Sequence, residues 1–177
     1  MHYEEWVTQP GLPPVTLDFT TVQLNESSSL ADDYIFLGGA SSPANYTDFY
    51  DYYSSLKVVF VERLITRIAD VTIPILEKID VDYTLTGTVD PEVKQRWFPL
   101  GIRLGYEPVL DPAHTFISSM GRLKYLTPVY QALLDANRCD LATQWFDENK
   151  DFYHPMAVAK IQKLIAPCTQ ESDLFMQ

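Results

Sequence analysis

Basic residues are missing from the first 56 positions of this 177-residue chain, where eight acids (Glu4, Glu5, Asp18, Glu26, Asp32, Asp33, Asp48, Asp51) stand without a lysine or arginine. The formal net charge of the whole chain is −11. That argues against nucleic acid as a partner, because a binder needs cations facing phosphates along a stripe, and against an anionic membrane surface for the same reason. Long apolar runs are missing too. No stretch approaches the ~20 residues of a membrane span, and the segment from Met1 to Trp6 has neither the basic flank nor the apolar centre of a signal peptide.

Cysteine is scarce. Cys139 and Cys168 lie far apart with neither CxxC nor metal-ligand spacing, so they are expected as reduced thiols in a cytoplasmic protein, with no disulfide on which the structure depends. Histidine is scarcer than a metal centre of its own would want: His2, His114 and His154 make no HExxH. A GxSxG elbow, a phosphate-binding P-loop, a GxGxxG turn and a cysteine zinc cluster are all absent. The chain is therefore expected to carry no catalytic residue and no metal site.

What is present is a composition that is 46% hydrophobic, enough for one sizeable core, with punctuation typical of helices. A cap residue followed by proline recurs, and proline is tolerated at the first helical position because its missing N–H has no partner there anyway. Asp90-Pro91 opens a helix through Trp97. Asp111-Pro112 opens one through Met120, which Gly121 closes with a left-handed cap. Thr127-Pro128 opens Val129 to Ala136, closed by Asn137. Asp140 caps Leu141 to Asn149, and His154-Pro155 begins a last helix from Met156 to Ile165, ended by Pro167.

Earlier in the chain, Leu56, Val59, Phe60, Leu64 and Ile68 follow near-helical spacing from Ser55 to Ile68, and Pro74 to Tyr83 reads as a further helix. Residues 10 to 55 read as a Pro-rich linker, a loop from Gly38 to Pro43 and short helices between them. The aromatics from Tyr46 to Tyr53 read as packing at a helix junction, since base stacking would want interleaved cations. About nine helices with short connections predict an all-α fold of antiparallel helix pairs stacked in a layer or short solenoid, without a clean repeat period.

Arg122 and Lys124 stand two positions apart at a joint between helices. One reading is that they complement the negative end of the preceding helix. The other is that Arg122 forks onto a carboxylate while Lys124 adds a point charge, which suits the free carboxyl end of a peptide or fatty acid. His154 is expected only as a helix-start residue.

Four stretches in this order carry a resemblance to a known family: Pro10-Gly11-Leu12-Pro13-Pro14, Glu92-Val93-Lys94-Gln95-Arg96-Trp97, the run from Gly121 to Pro128, and His154-Pro155-Met156. Together they resemble the C-terminal helical domain of leukotriene A(4) hydrolase and aminopeptidase B, zinc aminopeptidases of the gluzincin type. The resemblance implies an interdomain linker within residues 1–14 and a single helical domain over 15–177. It implies a right-handed, armadillo- or HEAT-like superhelical layer that closes one side of a catalytic cleft.

Carried over, Arg122 binds the carboxylate of a peptide or other substrate and Lys124 assists. Zinc, its ligands and the glutamate base are expected in an upstream catalytic domain, the chain's own partner, so this portion of a larger enzyme is expected to be silent alone. Pro99, Gly101, Gly105 and Pro108 depart from the family pattern and are expected to kink the chain ahead of the Arg122 loop. The alternative reading is a non-catalytic α-solenoid module that docks a basic partner through its acidic first third.

Overall fold

The computed structural model describes residues 3–8, 10, 18 and 20–174. Its α-helices are α1 (Tyr3–Thr8), α2 (Val22–Leu37), α3 (Ser54–Thr66), α4 (Ile73–Tyr83), α5 (Pro91–Leu104), α6 (Leu110–Ser119), α7 (Leu123–Asp135), α8 (Cys139–Asn149) and α9 (Pro155–Leu174). Short 3-10 turns join several of them, and among the described residues there is no strand. The all-α class is as expected. The linker reading falls largely on residues 11–14, which lie outside the described residues.

Local chemistry explains several helix starts. Thr21 caps α2 by accepting from the Leu24 N–H at 3.2 Å, and Asp90 caps α5 by accepting from the Glu92 N–H at 2.9 Å. Proline occupies the first turn of α4 and α5, where it costs no hydrogen bond. Gly38 and Gly105 close α2 and α5 in the left-handed conformation, at φ 61° and 74°.

The helices pack as a row in which α2 lies on α3, α3 on α5, α5 on α7 and α7 on α9, with α6 and α8 packed against its flank. The middle of the row is α5, whose Trp97, Phe98 and Leu100 are fully buried, and Trp97 donates its indole N–H to Thr86 Oγ1 at 3.0 Å. The buried side chains form one contiguous cluster from Leu30 to Ile165. At its first end Phe49 stacks on Tyr83 at 4.0 Å, with Tyr34 and Phe60 meeting Tyr83 edge-on. The aromatic run from Tyr46 to Tyr53 thus supplies packing at a junction, as expected. Among the described residues no helix is long and apolar enough to cross a membrane.

Several expectations are corrected. The breakers in α5 do not break it: the helix continues through Pro99 and Gly101 to Leu104. Gly101 is required by a close approach, since a Cβ there would meet Val109 Cγ2 at 2.8 Å. Pro128 does not open a helix, because α7 begins five residues earlier at Leu123, and Pro167 does not end α9, which runs on to Leu174. The buried face of α9 carries Ala157, Ile161, Ile165 and Cys168, and Met156 is exposed.

The reduced thiols are also corrected: Cys139 and Cys168 form a disulfide, with Cα atoms 5.2 Å apart across a sequence separation of 29. The cause is tertiary. Cys139 is the first residue of α8 and Cys168 lies late in α9, and the antiparallel packing of the two helices brings them together. One ground for a cytoplasmic location goes with the thiols.

Candidate functional site

The joint between α6 and α7 is built differently from its sequence reading. Gly121 is not a left-handed cap: α6 ends at Met120 with φ −130°, and Gly121 is not among the glycines with positive φ. A Cβ on Gly121 would sit 3.5 Å from the Phe152 ring, an ordinary contact. Arg122 is the N-cap of α7 in an extended conformation, and Lys124 lies in the first turn of that helix. Both cations therefore stand at the positive end of α7, a placement that costs roughly 0.3–1 kcal/mol each instead of gaining it. The start of α7 therefore does not account for them, whereas the negative end of α6 lies close by in the chain, its C-cap Met120 two residues before Arg122.

Lys124 has another partner. Its Nζ donates to Glu92 Oε1 at 2.6 Å, and the Tyr125 hydroxyl donates to the same oxygen at 3.2 Å. The Lys124 ammonium, with Tyr125 and Arg96 helping, outweighs the opposing effect of burial and holds the Glu92 carboxyl below its ordinary range. Glu92 is in turn tied into α5, where Arg96 Nη1 lies 3.5 Å from it while Arg96 Nε donates to Glu62 of α3 at 2.7 Å. Charges thus alternate across three helices in the order Glu62, Arg96, Glu92, Lys124. Both members of the final pair are partly exposed, so it adds about 0–1 kcal/mol to stability and acts chiefly to position Lys124.

Arg122 is exposed, and among the described residues no carboxylate pairs with it. Its guanidinium carbon lies 5.8 Å from the Tyr125 ring centroid. It lines an open pocket of about 390 Å³ together with Gly121, Leu123, Lys124, His154, Met156 and Ala157. The Gly121–Lys124 and His154–Met156 stretches, about thirty residues apart in sequence, are walls of one cavity.

His154 serves the start of α9, as expected, its Nδ1 accepting from the Met156 N–H at 3.2 Å. Sequence reasoning gave no role to Glu92, although it lies in the stretch quoted for the resemblance. The signal for Glu92 is a cross-helix pairing that no local spacing encodes. Among the described residues no three His, Cys, Asp or Glu side chains gather as a metal-binding set. Asp32 is half-exposed and paired with Arg63 at 2.9 Å and Arg67 at 2.9 Å, which neutralises one of the acids in the first third.

The model of the family described as leukotriene A4 hydrolase, C-terminal, matches residues 52–165. The leucine aminopeptidase 2 of Ajellomyces capsulatus is 29% identical over 161 residues, covering 91% of this chain and 26% of that protein. The leucine aminopeptidase 2 of Aspergillus niger is 30% identical over 164 residues, covering 92% of this chain and 26% of that protein. The chain thus spans about a quarter of the length of the curated relatives it matches.

Proposed function

Because the chain belongs to the leukotriene A4 hydrolase C-terminal family, we propose that it forms one wall of the substrate cleft of a larger zinc aminopeptidase and receives the carboxylate at the far end of a peptide. The observation that carries the proposal is Arg122, an exposed cation without a carboxylate partner among the described residues, at the rim of a pocket walled by Leu123, Met156 and Ala157. An unpaired guanidinium above apolar walls suits a forked, charge-assisted pair with a carboxylate.

The two cations have unequal parts. Arg122 makes the direct pair, and Lys124, already engaged by Glu92 at 2.6 Å, raises the local positive potential without leaving its partner. Zinc in the upstream catalytic domain supplies polarisation of the scissile carbonyl and activation of water. This chain's residues anchor the opposite end of the substrate, which fixes its register and so contributes to the rate by positioning.

The test uses the whole enzyme and two forms of one short peptide, with a free carboxyl terminus and with an amide. Arg122→Ala lowers kcat/KM for the free acid by roughly 10- to 100-fold, about 1.5–3 kcal/mol of charge-assisted bonding, and leaves the amide nearly unchanged. Lys124→Ala costs the free acid less than about 1 kcal/mol. An equal loss on acid and amide overturns the assignment of Arg122.

A further inference from the structure

We propose that Cys139 and Cys168 are a reversible redox pair, with Cys139 the exchanging thiol and Cys168 the resolving thiol, that locks and unlocks the outer half of α9. The two sulfurs differ in surroundings. Cys139 is the first residue of α8, a helix of 11 residues, and is partly exposed, whereas Cys168 is buried at 6% exposure. The start of a helix stabilises a thiolate, and access decides which sulfur meets a small oxidant first.

The bridge also stands beside a gap between the two helices it joins. A pocket of about 340 Å³ opens along the seam between α8 and α9, lined among others by Phe146, Lys150, Val158, Gln162 and Ile165. Beyond Ile165 comes Pro167, which removes one bond from the backbone ladder of α9, and Cys168 follows at once. The covalent link therefore fastens α9 at the turn where its own hydrogen bonding is interrupted and its packing against α8 is incomplete. Reduction removes the fastening and leaves the seam free to widen.

The oxidant is a small disulfide such as oxidised glutathione. The Cys139 thiolate attacks one glutathione sulfur and expels a glutathione thiolate, leaving a mixed disulfide. The Cys168 thiol loses its proton, attacks the Cys139 sulfur and expels the second glutathione. Two protein thiols are oxidised by two electrons, and one glutathione disulfide becomes two glutathione thiols. Reduction runs the same steps backwards.

The experiment equilibrates the intact chain in glutathione buffers of graded ratio, then reads the bridged fraction by alkylation and mass and the exposure of the outer half of α9 by cleavage after Glu171 with a glutamate-specific protease. The folded protein is expected to pass between bridged and dithiol forms within the range of ratios, with cleavage at least 10-fold faster in the dithiol form. Cys168→Ser is expected to carry one glutathione on Cys139, and Cys139→Ser to carry none. A protein that stays dithiol or stays bridged at every ratio overturns the proposal, as does equal modification of the two single variants or an unchanged cleavage rate.

Discussion

Two adjacent glycines permit a sharp test of how the α2–α4 junction is built. Gly38 and Gly39 both have positive φ, 61° and 85°, so an alanine at either position meets the same class of backbone penalty, roughly 1–2 kcal/mol. Their surroundings differ. A Cβ on Gly38 has nothing within 4 Å, whereas one on Gly39 lies 2.9 Å from the Ile75 backbone N and closer still to the Pro74 carbonyl, both in the first turn of α4. Backbone cannot rotate away as a side chain can, so either the loop or the start of α4 must shift. Forcing such a contact adds about 1–3 kcal/mol. Gly38→Ala is therefore expected to cost about 1–2 kcal/mol and Gly39→Ala about 2–5 kcal/mol. Urea unfolding of the two variants and the parent under identical conditions reads the difference through the midpoint at constant slope. Equal losses at the two positions refute the reasoning, because they would mean that the close approach to α4 contributes nothing.

Asp82 provides a pH-dependent prediction. Its burial pushes the carboxyl up, but Lys78, at 2.8 Å, with the Tyr34 and Ser42 hydroxyls outweighs that and holds it below its ordinary range. A depressed carboxyl contributes stability that is present above its unfolded value, about 3.9, and is lost as pH falls through the folded one. The urea-midpoint penalty of Asp82→Asn is thus larger at pH 7 than at pH 3, and a penalty independent of pH would contradict the assignment. Asp90 tests the cap of α5: Asp90→Ala removes the bond to the Glu92 N–H and the partner of the Ser54 hydroxyl, and costs about 1–2 kcal/mol in the same assay, with Asp90→Asn retaining most of it.

The helical class was readable because caps and prolines act locally. Thr72 with Pro74 and Asp90 with Pro91 mark true helix starts, as the bonding needs of a first turn require. Thr127-Pro128 has the same local form and misleads, since the apolar face of Tyr125, Leu126 and Val129 buries itself against the core and carries α7 back to Leu123. Pro99 and Gly101 were readable only as breakers, because the side chain that makes Gly101 necessary, Val109, comes from the turn after the helix. The Cys139–Cys168 bridge was hidden for the same reason: spacing along the chain says nothing about two helices folded back on each other. At the candidate site Arg122 and Lys124 were visible as a pair of cations, but Glu92, which separates their roles, is 32 residues from Lys124 and becomes a neighbour only when α5 packs on α7.

The alternating line from Glu62 through Arg96 and Glu92 to Lys124 has a consequence for how such a pocket diversifies. Replacing Glu62, two helices away and clear of any ligand, loosens Arg96, which then competes more strongly with Lys124 for Glu92. The charge offered at the rim changes while every wall residue stays the same. If the pocket receives a carboxylate as proposed, its affinity can be retuned at Glu62, a remote surface position, without disturbing the cavity itself.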